Sequence, residues 1–135
     1  MDKRALHNPD KRPAGYFSWG LELSRIDRLL FLSGTTATNA DGIVLHPGDA
    51  PAQARWIFES LGRMLLQAGY EISDVVRVET TVVASVSDED IAAIGRITAE
   101  YFGGLAVRPA AGTLRIVSRL IRPEVLIELE IIAAR

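Results

Sequence analysis

Acidic and basic side chains near the C-terminus are the residues of this sequence best suited to chemistry. Glu128 and Glu130 alternate with apolar residues, so both carboxylates lie on one face of a predicted strand. At least one of these carboxylates is therefore aimed at a partly apolar surface. The preceding stretch "VRPAAGTLRIVSRL" carries three arginines: Arg108, Arg115 and Arg119. The simpler alternative is a solvated carboxylate or an ion pair with Arg115 or Arg119, and the spacing alone favours it.

Other kinds of catalytic or binding site lack the residues that they need. The chain has two histidines, His7 and His46, and no cysteine. Convergent metal ligands and a Ser-His-Asp triad are therefore not predicted, and we expect no metal and no cofactor. Ser33 and Gly34 end a predicted strand, where a hydroxyl and a backbone N–H can meet a ligand, although such pairs usually form a turn.

Composition indicates one soluble domain that binds neither nucleic acid nor membrane. The chain has 135 residues, of which 48% are hydrophobic and 24% charged. Fifteen Lys and Arg residues against 17 Asp and Glu residues give a net charge of -2, which disfavours polyanionic partners. No apolar run approaches the roughly 20 residues that span a bilayer. The lack of cysteine fits a reducing compartment, so we expect a cytoplasmic location.

The hydrophobic pattern predicts an α+β domain over residues 13–135, preceded by a flexible tail over residues 1–12. Two short strands come first. A helix begins at the capping residue Asp49 and stops at Gly69, and a second begins at Ser87 and stops after Phe102. One strand separates the helices and two follow them. The order is β-β-α-β-α-β-β, with both helices on one face of a mixed sheet.

Several segments, taken together, resemble the RidA/YjgF family, whose members are often labelled imine/enamine deaminases or L-PSP endoribonucleases. The resemblance covers about residues 17–133, and it depends on "LFLSGTTA", "LLQAGYEISDVVRVETTVV", "AEYFGG" and "RPEVLIELEIIA". It implies a chorismate-mutase-like fold and a homotrimer with small-molecule clefts between neighbouring subunits. Typical members hydrolyse 2-imino or 2-aminoacrylate-type intermediates to keto acids and ammonia.

The resemblance also identifies site positions, and this chain departs from the family at several of them. Family members bind the substrate carboxylate with an arginine about ten residues after the aromatic pair that closes the second helix. Here that position is Gly112. Three other departures are Leu114 at a small cleft position, Gly95 at a frequent asparagine and Phe17 at a tyrosine. The family-like positions are Ser33, Gly34 and Glu128, of which Glu128 matches the acid that positions or activates water.

The substrate class predicted from the sequence depends on whether another arginine replaces the one missing at Gly112. On an unbulged strand, Gly112 and Leu114 share one face and Arg115 points away, so Arg108 is the predicted replacement. Without a replacement, we expect a RidA-like hydrolase of an imine, enamine or related metabolite that is not a standard 2-imino acid. The alternative is a non-catalytic trimer that binds a ligand or partner. Ribonuclease activity fits poorly with the net charge of -2 and the lack of a histidine pair.

Overall fold

Seven β-strands and two α-helices make up the computed structural model, which describes residues 1–135. The strands are β1 (Asp2–Leu6), β2 (Gly20–Ser24), β3 (Leu29–Thr35), β4 (Val75–Val83), β5 (Ala110–Ala111), β6 (Arg115–Val117) and β7 (Ile127–Ala134). The helices are α1 (Ala50–Gln67) and α2 (Asp88–Phe102), and a short 3-10 turn at Ile72–Asp74 leads into β4. The predicted α+β class is confirmed.

Both helices begin and end where the sequence predicts. The Asp49 side chain accepts a hydrogen bond from the Ala52 N–H at 3.0 Å, and Ser87 accepts one from the Asp90 N–H at 3.1 Å. These bonds satisfy N–H groups that a helix terminus leaves without intrahelical partners. Gly69 follows α1 with a φ of +77°, which a glycine adopts without strain.

The main sheet is mixed and has β7 and β4 at its centre. β7 pairs antiparallel with both β3 and β4, whereas β5 and β6 pair parallel with the other edge of β4. The helices lie on one face of this sheet, where buried side chains of both helices and of the strands form a single core. We call this the helix-covered face. Its buried strand residues are Leu32, Val78, Val82, Ile127, Leu129 and Ile131.

No element of the same chain covers the opposite face of the main sheet, which we call the open face. Cross-strand pairs place Arg77 beside Ile132, Glu79 beside Glu130 and Thr81 beside Glu128 on this face. Phe31, which pairs with Ile132, is 68% exposed. Leu29, on the same face of β3, is 52% exposed, so this edge of the open face carries neighbouring exposed apolar side chains.

The N-terminal residues differ from the predicted flexible tail. Asp2–Leu6 form β1, which pairs antiparallel with β2 in a separate two-stranded sheet. Arg4 contacts Glu22 at 2.6 Å, and the Lys3 ammonium donates to the carbonyl of Ser73, the middle residue of the 3-10 turn that precedes β4. Burial lowers the pKa of Lys3, and the nearby Asp74 carboxylate partly offsets this. A polar, exposed ribbon needs no apolar periodicity, so its sequence predicts no strand.

The strand predicted over "TLRIVSRLI" is shorter and irregular. β5 pairs Ala111 with Val78, whereas β6 pairs Arg115 with Thr81, so the chain gains one residue between the two strands. Such a bulge reverses the alternation of the side chains beyond it. Gly112 donates its N–H to the Val78 carbonyl at 2.8 Å and lies beside Glu79. Arg115 therefore shares the open face with Gly112, and the prediction that it points away is wrong.

Candidate functional site

A largely apolar cavity of about 90 Å³ lies between α2, β4 and the segment around β5. Four predicted site residues line it: Phe17, Gly95, Gly112 and Leu114. Val78, Thr80 and Val82 form its floor, which places the cavity on the helix-covered face. The apolar departures from the family pattern thus meet in one space that suits a small apolar substituent.

The cavity also has polar groups that the sequence prediction missed. Tyr16 lines it, and its hydroxyl lies 3.8 Å from the place that a Cβ at Gly95 would take. Thr80 brings a second hydroxyl from β4, whereas the Thr98 hydroxyl is held by the Ile94 carbonyl at 2.8 Å. Thr80 lies between Val78 and Val82 on the helix-covered face of β4. A polar residue in this apolar row is the sequence feature that could have identified Thr80. Nothing in the sequence distinguishes Tyr16 from the adjacent Phe17.

Ser33, Gly34 and Glu128 form a second group on the main sheet. β3 places Ser33 and Gly34 between its pairs Leu32–Ile131 and Thr35–Leu129, so these two residues form a bulge. A Cβ at Gly34 would lie 3.0 Å from Cδ of Glu128 and closer still to its Oε1. The glycine therefore lets the Glu128 carboxylate rest directly on the backbone of the bulge, with the exposed Ser33 next to it.

The two groups do not meet within one chain. Glu128 pairs with Thr81 and belongs to the open face, whereas the cavity has the alternate β4 residues Val78 and Thr80 as its floor. The sheet separates the carboxylate from the cavity. A single copy consequently has an apolar cavity that no carboxylate lines.

Arg108 has a structural role that does not fit the predicted one. Its Nη1 donates to the Ala14 carbonyl at 2.7 Å and its Nε donates to the Gly103 carbonyl at 3.1 Å. The Ser18 hydroxyl donates back to the Arg108 carbonyl at 2.7 Å. These bonds tie the segment before β2 to the end of α2, so the guanidinium is not directed to the space beside Gly112.

The Glu79 carboxylate fills the space beside Gly112 on the open face, and the sequence prediction missed this residue. A Cβ at Gly112 would lie 2.5 Å from Oε1 of Glu79 and closer still to its Oε2 and Cδ. Arg77 Nε donates to Oε1 at 2.7 Å, and Arg115 Nη1 donates to Oε2 at 3.0 Å. The strand alternation places Arg77 and Glu79 on one face, but only the bulge brings Arg115 to them.

Of the two simpler alternatives for the C-terminal carboxylates, the ion pair with Arg115 or Arg119 is not formed, whereas a solvated carboxylate fits the exposed Glu130. Arg115 binds Glu79, and Arg119 donates to the carbonyls of Leu120 and Ile121 at 3.2 and 3.4 Å. Glu128 has no ion pair within the chain. Three or more side chains of the types that ligate metals do not cluster anywhere in the structure. Neither helix has the length and apolar character to cross a membrane.

A family profile, a sequence relative and solved structures are similar to this chain over most of its length. A sequence profile described as Endoribonuclease L-PSP matches residues 10–135. The 3-aminoacrylate deaminase RutC of Acinetobacter baylyi is 32% identical over 111 residues, which are 82% of each chain. The crystal structure of the conserved Rid family protein YyfB from Yersinia pestis matches with a TM-score of 0.86 and 32% identity over 100% of both chains. A member of the YjgF/YER057c/UK114 family from Mycobacterium tuberculosis matches with a TM-score of 0.63 and 26% identity, over 99% of this chain and 100% of that one.

Proposed function

Because this chain belongs to the RidA/YjgF family, also called the L-PSP endoribonuclease family, we propose that it hydrolyses a small imine or enamine. Its relative RutC is named a 3-aminoacrylate deaminase, which is chemistry of this type. The observation that carries the proposal is the contact between the unpaired Glu128 carboxylate and the Ser33-Gly34 bulge. A carboxylate without an ion pair is available to accept a proton.

The reaction needs one water molecule and no redox partner. Glu128 takes a proton from water as the water oxygen bonds to the imine carbon, the C=N π electron pair moves to nitrogen, and Glu128 passes the proton to that nitrogen, which gives a carbinolamine. Glu128 then takes the proton of the carbinolamine hydroxyl as the C=O bond forms, and passes it to the nitrogen as the C–N bond breaks and ammonia leaves. The products are a carbonyl compound and ammonia. The Ser33 hydroxyl and the Gly34 N–H orient the substrate.

The complete site requires two copies of the chain. The cavity and Glu128 lie on opposite faces of one sheet, so the proposed homotrimer would bring the cavity of one copy to Glu128 of a neighbouring copy. The exposed Phe31 and the half-buried Ile132 beside it on the open face support an interface there, since accessible apolar side chains favour association.

The substrate is not a standard 2-imino acid in this proposal. Gly112 supplies no side chain for a substrate carboxylate, and Arg108 is held by backbone carbonyls. The cavity beside Gly112 is mostly apolar, with the Tyr16 and Thr80 hydroxyls as its polar groups. A neutral imine or enamine with a small apolar substituent fits this lining.

The alternative is a non-catalytic trimer that binds a small ligand or a protein partner. The departures from the polar or small family residues at Gly95, Gly112, Leu114 and Phe17, which all line the cavity, favour it, because a decayed catalytic site would show such changes. The two functions differ in turnover, so an activity assay separates them.

The test is ammonia release from imines generated in situ. An amine oxidase supplies neutral imines and an amino-acid oxidase supplies 2-imino acids, and the rate above the uncatalysed hydrolysis is measured. We expect acceleration for neutral imines only, and its loss in Glu128→Gln. Glu130→Gln, on the same strand and face, is the matched control and should keep the activity. No acceleration for any imine would support the binding trimer instead.

A further inference from the structure

Two arginines converge on one carboxylate at the position where the family's substrate-binding arginine is missing. Glu79 accepts hydrogen bonds from Arg77 at 2.7 Å and from Arg115 at 3.0 Å. The Glu79 side chain is 15% exposed, whereas the two arginine side chains are 46% and 53% exposed. A carboxylate between two guanidinium groups is the arrangement by which proteins bind carboxylate ligands. Here the carboxylate is the protein's own.

Gly112 is necessary for this arrangement. Any side chain at this position would begin where the Glu79 carboxyl group lies, at 2.5 Å from Oε1 and closer to the other two atoms of the group. The carboxylate would then have to leave the space between the arginines. The glycine and Glu79 therefore form one unit, in which a missing side chain makes room for an acid from the neighbouring strand.

The other charged groups on the open face determine whether a ligand carboxylate can bind beside Glu79. Beside Glu79, the face carries Glu130, its cross-strand neighbour, and Glu128, which pairs with Thr81. With Glu79 present, the three carboxylates outnumber the two arginines. A second carboxylate brought to Gly112 would meet Glu79 at close range, and it would have to compete for donors that are already bound.

Glu79 lies on the same open face as Glu128, which in the proposed trimer faces the cavity of the neighbouring copy. We propose that Glu79 determines the specificity of this shared site, by holding Arg77 and Arg115 and so excluding substrates that carry a carboxylate. This inference rests on the proposed function and adds the group that rejects 2-imino acids. Glu79 acts through Arg77 and Arg115 and does not take part in the hydrolysis. Removal of its charge should expose an arginine pair that binds small carboxylates.

Calorimetric titration of the full chain with pyruvate tests this directly. Glu79→Gln keeps the size of the side chain and loses the charge, and we expect it to bind pyruvate about 10- to 100-fold more tightly than the wild type does. Pyruvamide, which has nearly the same shape and no charge, should show no such gain. The gain should disappear when Arg115→Ala is added to Glu79→Gln.

Glu130→Gln is the matched control, because it removes the same charge from the adjacent position of the same face. An equal gain in Glu130→Gln would show a general charge effect and overturn the proposal, as would wild-type affinity in Glu79→Gln. If Glu79→Gln does not fold, Gly112→Ala displaces the same carboxylate and should give a gain in the same direction, and its absence would also overturn the proposal. Binding is measured without turnover, so this result is independent of the imine assay.

Discussion

Two contacts between a glycine and a carboxylate lie on the open face, and they differ in what binds the acid. At Gly34 the Glu128 carboxylate rests on a bulge of β3, and at Gly112 the Glu79 carboxylate rests on the segment between β5 and β6. Glu128 has no ion pair in the chain, whereas Glu79 is held by two arginines. The absence of a Cβ thus makes room for two acids, one without an ion pair in the chain and one held by two arginines.

The difference comes from the strands next to each acid. β7 lies between β3 and β4, so the neighbours of Glu128 across the sheet are a bulge and Thr81. Glu79 lies on β4, whose other neighbour carries Arg115 after the extra residue between β5 and β6. The role of each carboxylate therefore depends on strand register more than on the residue itself.

The largest expected effect is the loss of hydrolysis in Gly34→Ala. The new methyl group would lie 3.0 Å from Cδ of Glu128 and closer to Oε1, so the carboxylate must move. A displacement of about 1 Å can cost roughly 100-fold in rate, and we expect a loss of that order in the imine assay.

Gly62→Ala is the control for a glycine-to-alanine change. Gly62 lies in α1 with open space around the added methyl group, so this variant should keep the activity and gain stability from its helix propensity. Wild-type hydrolysis by Gly34→Ala would show that the contact between Gly34 and Glu128 has no catalytic role.

A smaller effect distinguishes the two acids by stability. Glu79→Gln loses charge-assisted hydrogen bonds to two half-exposed arginines, and we expect it to lower the free energy of unfolding by about 1 kcal/mol. Glu128→Gln loses no ion pair and should change it by less. Urea unfolding of both variants, followed by circular dichroism, measures the difference. Equal losses would contradict the contrast between a fixed and a free carboxylate.

Local signals made most of the fold predictable from the sequence. Asp49 and Ser87 are capping residues that precede amphipathic segments, and Gly69 ends α1, so both helices follow from short-range chemistry. The alternation in β4 correctly separates its two faces. β1 was missed because a polar two-stranded ribbon has no apolar pattern.

The candidate site was predictable only in part. The family resemblance identifies Phe17, Gly95, Gly112 and Leu114, and these residues do line one cavity. The bulge before Arg115 could not be foreseen, because "AAGTL" has no alternation that fixes its register. The ion pair between Arg115 and Glu79 depends on that bulge, because the bulge brings the positively charged Arg115 side chain to the open face.

In the proposed site, the cavity of one copy meets Glu128 of another copy. Co-expression of two differently tagged variants, purified through both tags, tests it most directly. Glu128→Gln keeps the cavity and loses the base, whereas Gly95→Phe fills the cavity beside Tyr16 and keeps the base.

Each variant alone should be inactive in the imine assay. Every trimer that carries both tags contains both variants, so one of its three sites combines an intact cavity with an intact Glu128, and roughly one third of the wild-type activity should return. Doubly tagged trimers that remain as inactive as each variant alone would contradict a site shared between copies.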